Sequence, residues 1–119
     1  MRLVHRYGPL EDRQADTLAS DVETADTTLQ QARGLMFRRS VPDGYGLAFR
    51  FDEPRPRTLH MLFVPFAIDA LWIRGPEVVH KKRLRPFVGV GRASADLVVE
   101  LPAGAAENVE PGDIVELEE

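Results

Sequence analysis

Two carboxylates stand in apolar stretches of this chain, where an isolated charge is costly. Asp69 lies within HMLFVPFAIDALWI at 60–73, and Glu100 lies within DLVVELPAG at 96–104. An ionised side chain in such surroundings must be paired, hydrogen-bonded or neutralised by a shifted pKa. Two such groups close together could also act as an acid and a base, as the paired carboxylates of glycoside hydrolases do.

Asp69 has two groups of candidate partners. If residues 68–73 form a strand, Asp69 shares a face with Leu71 and Ile73, and an arginine or backbone N–H groups must then satisfy it. Arg33 is one arginine that could pair with it. His60, at the start of the same apolar run, could face the same cleft as a ligand or an acid–base group.

Cysteine and histidine usage argues against several kinds of site. The chain has no cysteine, which excludes disulfides, thiol nucleophiles and cysteine-based zinc sites. Its three histidines lack the short spacing of a metal site: His5, His60 and His80. We therefore expect no bound metal and no cofactor.

Other motifs of catalysis and of nucleic-acid binding are weak. No serine stands in a G-x-S-x-G setting. The glycines of Gly89-Val90-Gly91 lack the strand–loop–helix context of a phosphate loop. The basic segment 80–92 contains Phe87 as its one aromatic residue, and the chain is acidic overall with a net charge of −4, so the sequence argues against nucleic-acid binding.

Length and composition describe an ordinary globular protein. The 119 residues are 44% hydrophobic and 29% charged, which predicts a single soluble domain over 1–119. The apolar run 60–73 is shorter than the roughly 20 residues of a membrane span and contains Pro65 and Asp69. The first ten residues lack the apolar core of a signal peptide, which predicts a cytoplasmic protein.

Short alternating segments separated by glycine and proline predict a β-rich fold. A helix is expected over 27–33, with Asp26 as its N-cap and Gly34 as its C-cap, and 103–108 is expected to form a short helix or turn. Two prolines predict a loop at 52–57, and a second loop is expected at 86–92. The expected strands are 2–7, 17–24, 47–51, 59–63, 68–73, 78–84, 96–101 and 114–117. The fold class is mainly β (α+β): a compact antiparallel sandwich or squat barrel with one or two short helices.

An ordered set of motifs resembles the domain of unknown function 192 family (uncharacterised protein family 0127). ARGLMFR, a Gly-Leu-Ala-Phe strand, HMLFVPFAIDALWI, ELPAG and Pro-Gly-Asp occur in this order over about residues 20–117. The resemblance implies a compact, mostly β domain with short helices and an unassigned biochemical role. The positions that match the family's motifs are Arg33, Gly34, Met36, Met61, Asp69, Glu100, Gly104, Gly112 and Asp113. Of these, the glycines, the methionines and Asp113 are expected to be structural.

Three functions are consistent with these residues. The leading one is a binding or accessory module that holds a small polar ligand in a cleft lined by Arg33, His60, Asp69 and Glu100. One alternative is a hydrolase of a sugar-like substrate that uses Asp69 and Glu100 as paired carboxylates. The other is a purely structural or protein-interaction domain, in which the same charges form an internal salt bridge.

Overall fold

Most of the chain forms β-strands. The computed structural model describes the backbone of residues 1–119 and every side chain except those of Thr28, Leu29 and Ala32. The strands are β1 (Arg2–Tyr7), β2 (Gln14–Ala19), β3 (Asp21–Thr24), β4 (Tyr45–His60), β5 (Ile68–Arg74), β6 (Glu77–Leu84), β7 (Val90–Pro102) and β8 (Ile114–Glu118). One α-helix, α1 (Thr28–Arg33), and one turn of 3-10 helix at Leu10–Asp12 complete the set. The prediction of a mainly β chain with one or two short helices is confirmed.

The eight strands form one mixed sheet in the order β2-β1-β8-β6-β5-β7-β4-β3. β3 and β4 are parallel, because α1 connects them as a crossover, and the other pairs are antiparallel. The edge strands β2 and β3 are joined through Ser20, and the Val22 N–H donates to the Met1 carbonyl oxygen at 3.0 Å. The sheet is therefore strongly coiled, although for the described residues it is not closed into a barrel.

The core consists of two hydrophobic clusters on opposite faces of the central strands. The first cluster includes Ala70, Trp72 and Val98 and lies on the face that α1 covers. The second includes Leu71 and Val99 and lies on the face covered by β1, β8 and the turns after β7. Strand alternation explains this division, because successive residues of β5 and β7 point to opposite faces. Both faces of the central strands are buried, which explains their almost continuous apolar sequences.

The outer part of the β4–β7 pair folds back across the first cluster. We call residues 55–60 of β4 and 90–95 of β7 the ribbon. The Trp72 indole N–H in β5 donates to the Arg57 carbonyl oxygen at 2.9 Å, which holds the ribbon over the sheet. A Cβ added to Gly91 would lie 2.5 Å from the ring atom Cη2 of Trp72, so the ribbon approaches the indole very closely.

The predicted loop at 52–57 is wrong, since these residues belong to β4. Between the pairs Arg50–Leu97 and Arg55–Ala95 the register shifts, so that β4 contains extra residues at the point where the ribbon bends. Pro54 lies within this irregularity. Its missing N–H is tolerated because β3 pairs only with residues 45–48 of β4 among the described residues, which leaves the later part of β4 as an edge.

Other boundaries also differ from those expected. The predicted strand 17–24 is divided at Ser20 into β2 and β3. The predicted strand 59–63 ends at His60, where the Met61 N–H donates to the Gly89 carbonyl oxygen and the chain turns. The predicted loop 86–92 is shorter, because β7 begins at Val90.

The helix was predicted correctly, although its N-cap is one residue later than expected. Thr27, not Asp26, is the N-cap: its hydroxyl accepts from the Gln30 N–H at 3.0 Å, and the Gln30 side chain accepts from the Thr27 N–H in return. At the other end the Gly34 N–H donates to the Gln30 carbonyl oxygen. Neither described helix is long and apolar enough to cross a membrane.

We expect Gly91→Ala to lower the free energy of unfolding by about 1–3 kcal/mol, because the new methyl group overlaps the Trp72 indole. Chemical denaturation of the wild-type and variant proteins measures this loss. The matched test is the double variant with Trp72→Phe, which removes the overlapping ring. In that background the Gly91→Ala penalty should be smaller, and an equal penalty would contradict the contact.

Candidate functional site

Glu100 is buried in β7 on the face of the sheet that α1 covers. It is paired with Leu47 of β4 on one side and with Ala70 of β5 on the other. Only 4% of its surface is exposed. Its backbone belongs to a central strand with neighbours on both sides, so the side chain cannot move away from this face without breaking the register.

Gly34, at the end of α1, lies directly over the Glu100 carboxyl. The φ and ψ angles of Gly34 are 51° and −125°, in a region that side chains disfavour. A Cβ added there would lie 3.3 Å from Glu100 Oε1 and 3.5 Å from the Phe49 ring. The helix therefore ends in the one residue type that gives both the backbone conformation and the space above the carboxyl.

Within the described part of the chain, one oxygen of the buried Glu100 carboxyl is unsatisfied. Among the residues that the structure describes, Oε1 has no hydrogen-bond partner although it is buried. Burial raises the pKa of Glu100 to about 8, although the positive charge of Arg38 acts in the opposite direction. At neutral pH the group is therefore mostly a neutral carboxylic acid, which can donate one hydrogen bond and accept others.

A cavity of about 180 Å³ adjoins this carboxyl. Polar groups lie beside apolar side chains in its wall, as in many ligand sites. The lining residues are Gln31, Arg33, Gly34, Leu35, Met36, Phe49, Thr58, Leu59, His60, Val64 and Glu100. A second cavity of about 240 Å³ shares Arg33 and Gly34 with the first and also contacts Glu23 and Arg38. The two cavities are therefore neighbours that share part of one wall at Arg33 and Gly34.

Three of the four predicted binding residues thus lie on one cavity. Glu100 contributes a buried carboxyl, whereas Arg33 and His60 are exposed at the cavity wall. The His60 ring also accepts at Nδ1 from the Leu62 N–H at 3.2 Å, so that the imidazole is oriented by its own turn. The sequence did not identify Thr58 or Gln31, since neither stands in an unusual neighbourhood along the chain.

Asp69, the fourth predicted binding residue, lies away from this cavity and is fully satisfied by other groups. Arg83 Nε donates to Oδ1 at 2.8 Å, and the N–H groups of Gly104 and Ala106 donate to Oδ2 at 3.0 and 3.1 Å. The hydrogen bond that Arg83 donates to Asp69, and secondly the attraction to the carboxylate charge, raise the pKa of Arg83. Arg33, which the sequence suggested as one possible partner, is not the arginine that pairs with Asp69. Asp69 instead fixes the turn after β7 with an arginine from the adjacent strand β6.

Asp69 and Glu100 lie on opposite faces of the sheet. Asp69 is paired with Leu101, and Glu100 is paired with the next residue of β5, Ala70. Since neighbouring residues of a strand point in opposite directions, the two carboxyls cannot flank one bond of a substrate. The geometry gives no support to a hydrolase with these paired carboxylates.

The remaining motif residues have structural surroundings. Met61 is buried in the first cluster and Met36 packs against it. The Gly112 N–H donates to the Val78 carbonyl oxygen at 2.8 Å. Asp113 Oδ2 accepts from the Glu110 N–H at 3.0 Å and lies 2.7 Å from Nε2 of the buried His5. The sequence missed the His5–Asp113 pair, because the two residues are 108 positions apart.

Comparison with known proteins gives a family match over most of the chain. The model of the DUF192 family, described as "Uncharacterized ACR", matches residues 10–117. A UPF0127 protein of Thermococcus gammatolerans is 31% identical over an alignment of 98 residues, and the match covers 79% of this chain and 64% of that protein. The chain thus spans less than two thirds of the length of this relative.

Two solved structures are similar along nearly the whole chain. One is of a Sinorhizobium meliloti protein described as a candidate transcription regulator, and the other is of a protein of unknown function from Novosphingobium aromaticivorans. Each is 26% identical with a TM-score of 0.77 and covers 97% of this chain. The matched regions are 92% and 84% of those two chains, respectively.

We expect Asp69→Ala to destabilise the protein by about 2–4 kcal/mol, because the N–H groups of Gly104 and Ala106 lose their acceptor. Denaturant unfolding measures this loss. The matched variant is Arg83→Gln, which leaves both backbone hydrogen bonds intact. The Arg83 side chain is 56% exposed, so its loss should cost far less. Equal losses in the two variants would show that the ion pair, not the backbone hydrogen bonds, holds the turn.

We expect the stability of the protein to fall as pH rises from about 5 to 8. The folded-state pKa of Glu100 is raised from 4.5 to about 8, so the folded state holds a proton that the unfolded state has released over this interval. The stability that comes from this extra proton on Glu100 is fully present below the unfolded-state pKa, and it is lost as pH rises through the folded-state pKa. Glu100→Gln has no such proton to lose.

The difference in melting temperature between wild type and Glu100→Gln, measured from pH 4.5 to 9, isolates this effect from other titrations. Over this pH range the free energy of unfolding of the wild type should fall relative to that of the variant by on the order of several kcal/mol, which lowers its relative melting temperature. Parallel curves for the two proteins would contradict a protonated Glu100.

Proposed function

Since this chain belongs to the DUF192 family, whose role the comparisons leave unassigned, we propose its function from the site itself: it binds a small polar ligand in the Glu100 cavity. The observation that carries the proposal is the buried Glu100 Oε1, which has no hydrogen-bond partner among the described residues. Such an atom is costly unless a further group satisfies it. A bound ligand would supply that group.

The size of the cavity limits the ligand. About 180 Å³ is less than the roughly 300–1,000 Å³ of pockets for drug-sized molecules, so the occupant has on the order of ten non-hydrogen atoms. The shared wall at Arg33 and Gly34 gives a longer ligand access to the second cavity. The additional atoms of such a ligand would contact the polar side chains of the second cavity.

The charges around the cavity favour a negatively charged ligand. At neutral pH Glu100 is mostly uncharged and can donate a hydrogen bond, while Arg33 at the wall carries a positive charge. A guanidinium and a neutral acid together suit an acceptor-rich group such as a carboxylate. We therefore assign the site to small carboxylates or related oxyanions.

The proposal includes the cytoplasmic location and the single domain that the sequence predicts. The Sinorhizobium meliloti neighbour is described as a candidate transcription regulator, which raises nucleic acid as another partner. A cavity of this size and depth does not fit a nucleic-acid strand, so the Glu100 site favours a small molecule. A purely structural role is the second candidate, and the satisfied Asp69–Arg83 pair favours it for that part of the molecule.

We expect small carboxylates, such as acetate, glycolate and succinate, to raise the melting temperature, whereas the corresponding amides do not. For a carboxylate that binds, isothermal titration should show about tenfold weaker binding at pH 9 than at pH 6, because only about one tenth of Glu100 keeps its proton at pH 9. Glu100→Gln retains a donor and should bind with little pH dependence over the same range. Glu100→Leu should not bind.

Arg39→Gln is the matched control, since Arg39 is an exposed arginine near α1 that does not line the cavity. It should bind as the wild type does. If no carboxylate binds, or if Glu100→Leu binds as tightly as the wild type, the proposed site is wrong.

A further inference from the structure

Three exposed phenylalanines stand together in three separate loops. They are Phe37 after α1, Phe63 between β4 and β5, and Phe87 between β6 and β7, with 63%, 49% and 58% of their surface exposed. Backbone hydrogen bonds connect the loops: the Phe37 N–H donates to the Phe63 carbonyl oxygen at 2.9 Å, and the Phe87 N–H donates to the Val64 carbonyl oxygen at 3.0 Å. These loops therefore form one surface.

Exposed aliphatic side chains enlarge this surface. Leu62, Val88 and Val90 are 54%, 66% and 52% exposed, and each is next to one of the connected loops or within it. We call these three residues and the three phenylalanines the apolar patch. A cluster of six large exposed hydrophobic residues is a feature that needs a partner or a surface to cover it.

The backbone at the three phenylalanines is unfavourable for their residue type. Their φ angles are 69°, 60° and 63°, and among the described residues they are the only ones other than glycine with a positive φ. Asparagine and glycine adopt this conformation at lower cost, and bulky residues rarely do. Stability alone would favour a small residue at each position, so the aromatic rings must serve another purpose.

The charges of the loops are all of one sign. Residues 35–41, 61–67 and 85–89 contain Arg38, Arg39 and Arg85 and no acidic residue, although the whole chain has a net charge of −4. Lys82 also lies beside the patch, since its Nζ donates to the Val90 carbonyl oxygen at 2.6 Å. An acidic protein therefore presents an apolar patch bordered by Lys82 and the exposed Arg39 and Arg85, whereas Arg38 packs over the Tyr45 ring, 5.1 Å from its centroid.

We propose that the apolar patch docks on an anionic lipid bilayer, with its side chains in the interface and its arginines and lysine at the headgroups. Apolar side chains that reach the acyl boundary, together with basic side chains that attract acidic headgroups, are the two components of peripheral membrane binding. The proposal does not depend on the ligand of the Glu100 cavity.

Other occupants fit the observations less well. Two copies of the chain joined through this surface would place the same positive border against itself. Bases of a single-stranded nucleic acid bind by stacking on ring faces, and Phe37 and Phe63 each have one face covered by the other ring, with centroids 4.9 Å apart. The aliphatic side chains of the patch cannot stack with a base, whereas they can insert into the interface of a bilayer.

Sedimentation with vesicles tests the proposal. We expect the full chain to bind vesicles that contain one third phosphatidylglycerol at least tenfold more tightly than pure phosphatidylcholine vesicles, and to lose most of this preference in high salt. Phe63→Asn and Phe87→Asn should each weaken vesicle binding several-fold. Because asparagine tolerates a positive φ, both variants should keep or raise the melting temperature, which separates the loss of binding from a loss of folding.

Leu10→Asn is the matched control, because Leu10 is 85% exposed in the 3-10 helix, outside the patch. It should bind vesicles as the wild type does. Three outcomes would overturn the proposal: equal binding to both kinds of vesicle, unchanged binding by the two phenylalanine variants, or a dimer or an oligonucleotide complex that these variants abolish while vesicles remain unbound.

Discussion

The alternation of side chains along β7 is the constraint on which the rest of the structure depends. β7 lies between β4 and β5, and both faces of these strands are covered, so each of its residues must point into one of two hydrophobic clusters. A shift of one residue would exchange the two sets and turn Glu100 toward the face that Val99 and Leu101 now occupy. The register of one strand thus decides which layer receives the carboxyl.

The two buried carboxylates show how differently the same chemical group can be accommodated. Asp69 has a charged partner and two backbone donors, so its charge is retained and holds a turn in place. Glu100 has no comparable set of donors, and it is instead mostly protonated at neutral pH. Protonation lowers the cost of burial but leaves Oε1 without a partner among the described residues. A stable core would satisfy both groups, and this difference is why we place the ligand at Glu100 rather than at Asp69.

The sequence was sufficient to predict the class of fold and three of the residues that line the Glu100 cavity, but it did not give their arrangement. Local signals predicted α1, because capping residues and a C-terminal glycine act within a few positions of one another. The strand through Pro54 was missed, because a proline is tolerated at an unpaired edge and the edge depends on strand order. The partner of Asp69 was missed in the same way. Its apolar neighbours are visible in the sequence, but Arg83 is its partner because β5 pairs with β6, and the sequence does not show which strands pair.

The cavity and the apolar patch share two loops, and this connects the two proposals physically. Met36 and Val64 line the cavity, while the adjacent residues Phe37 and Phe63 stack on each other in the patch. A backbone hydrogen bond between Phe37 and Phe63 holds these loops together, so a surface that restrains the rings also restrains the cavity wall. At both positions the phenylalanine is exposed, while the neighbouring residue, Met36 or Val64, lines the cavity. The proposed ligand and the proposed bilayer would therefore contact neighbouring residues of the same two loops.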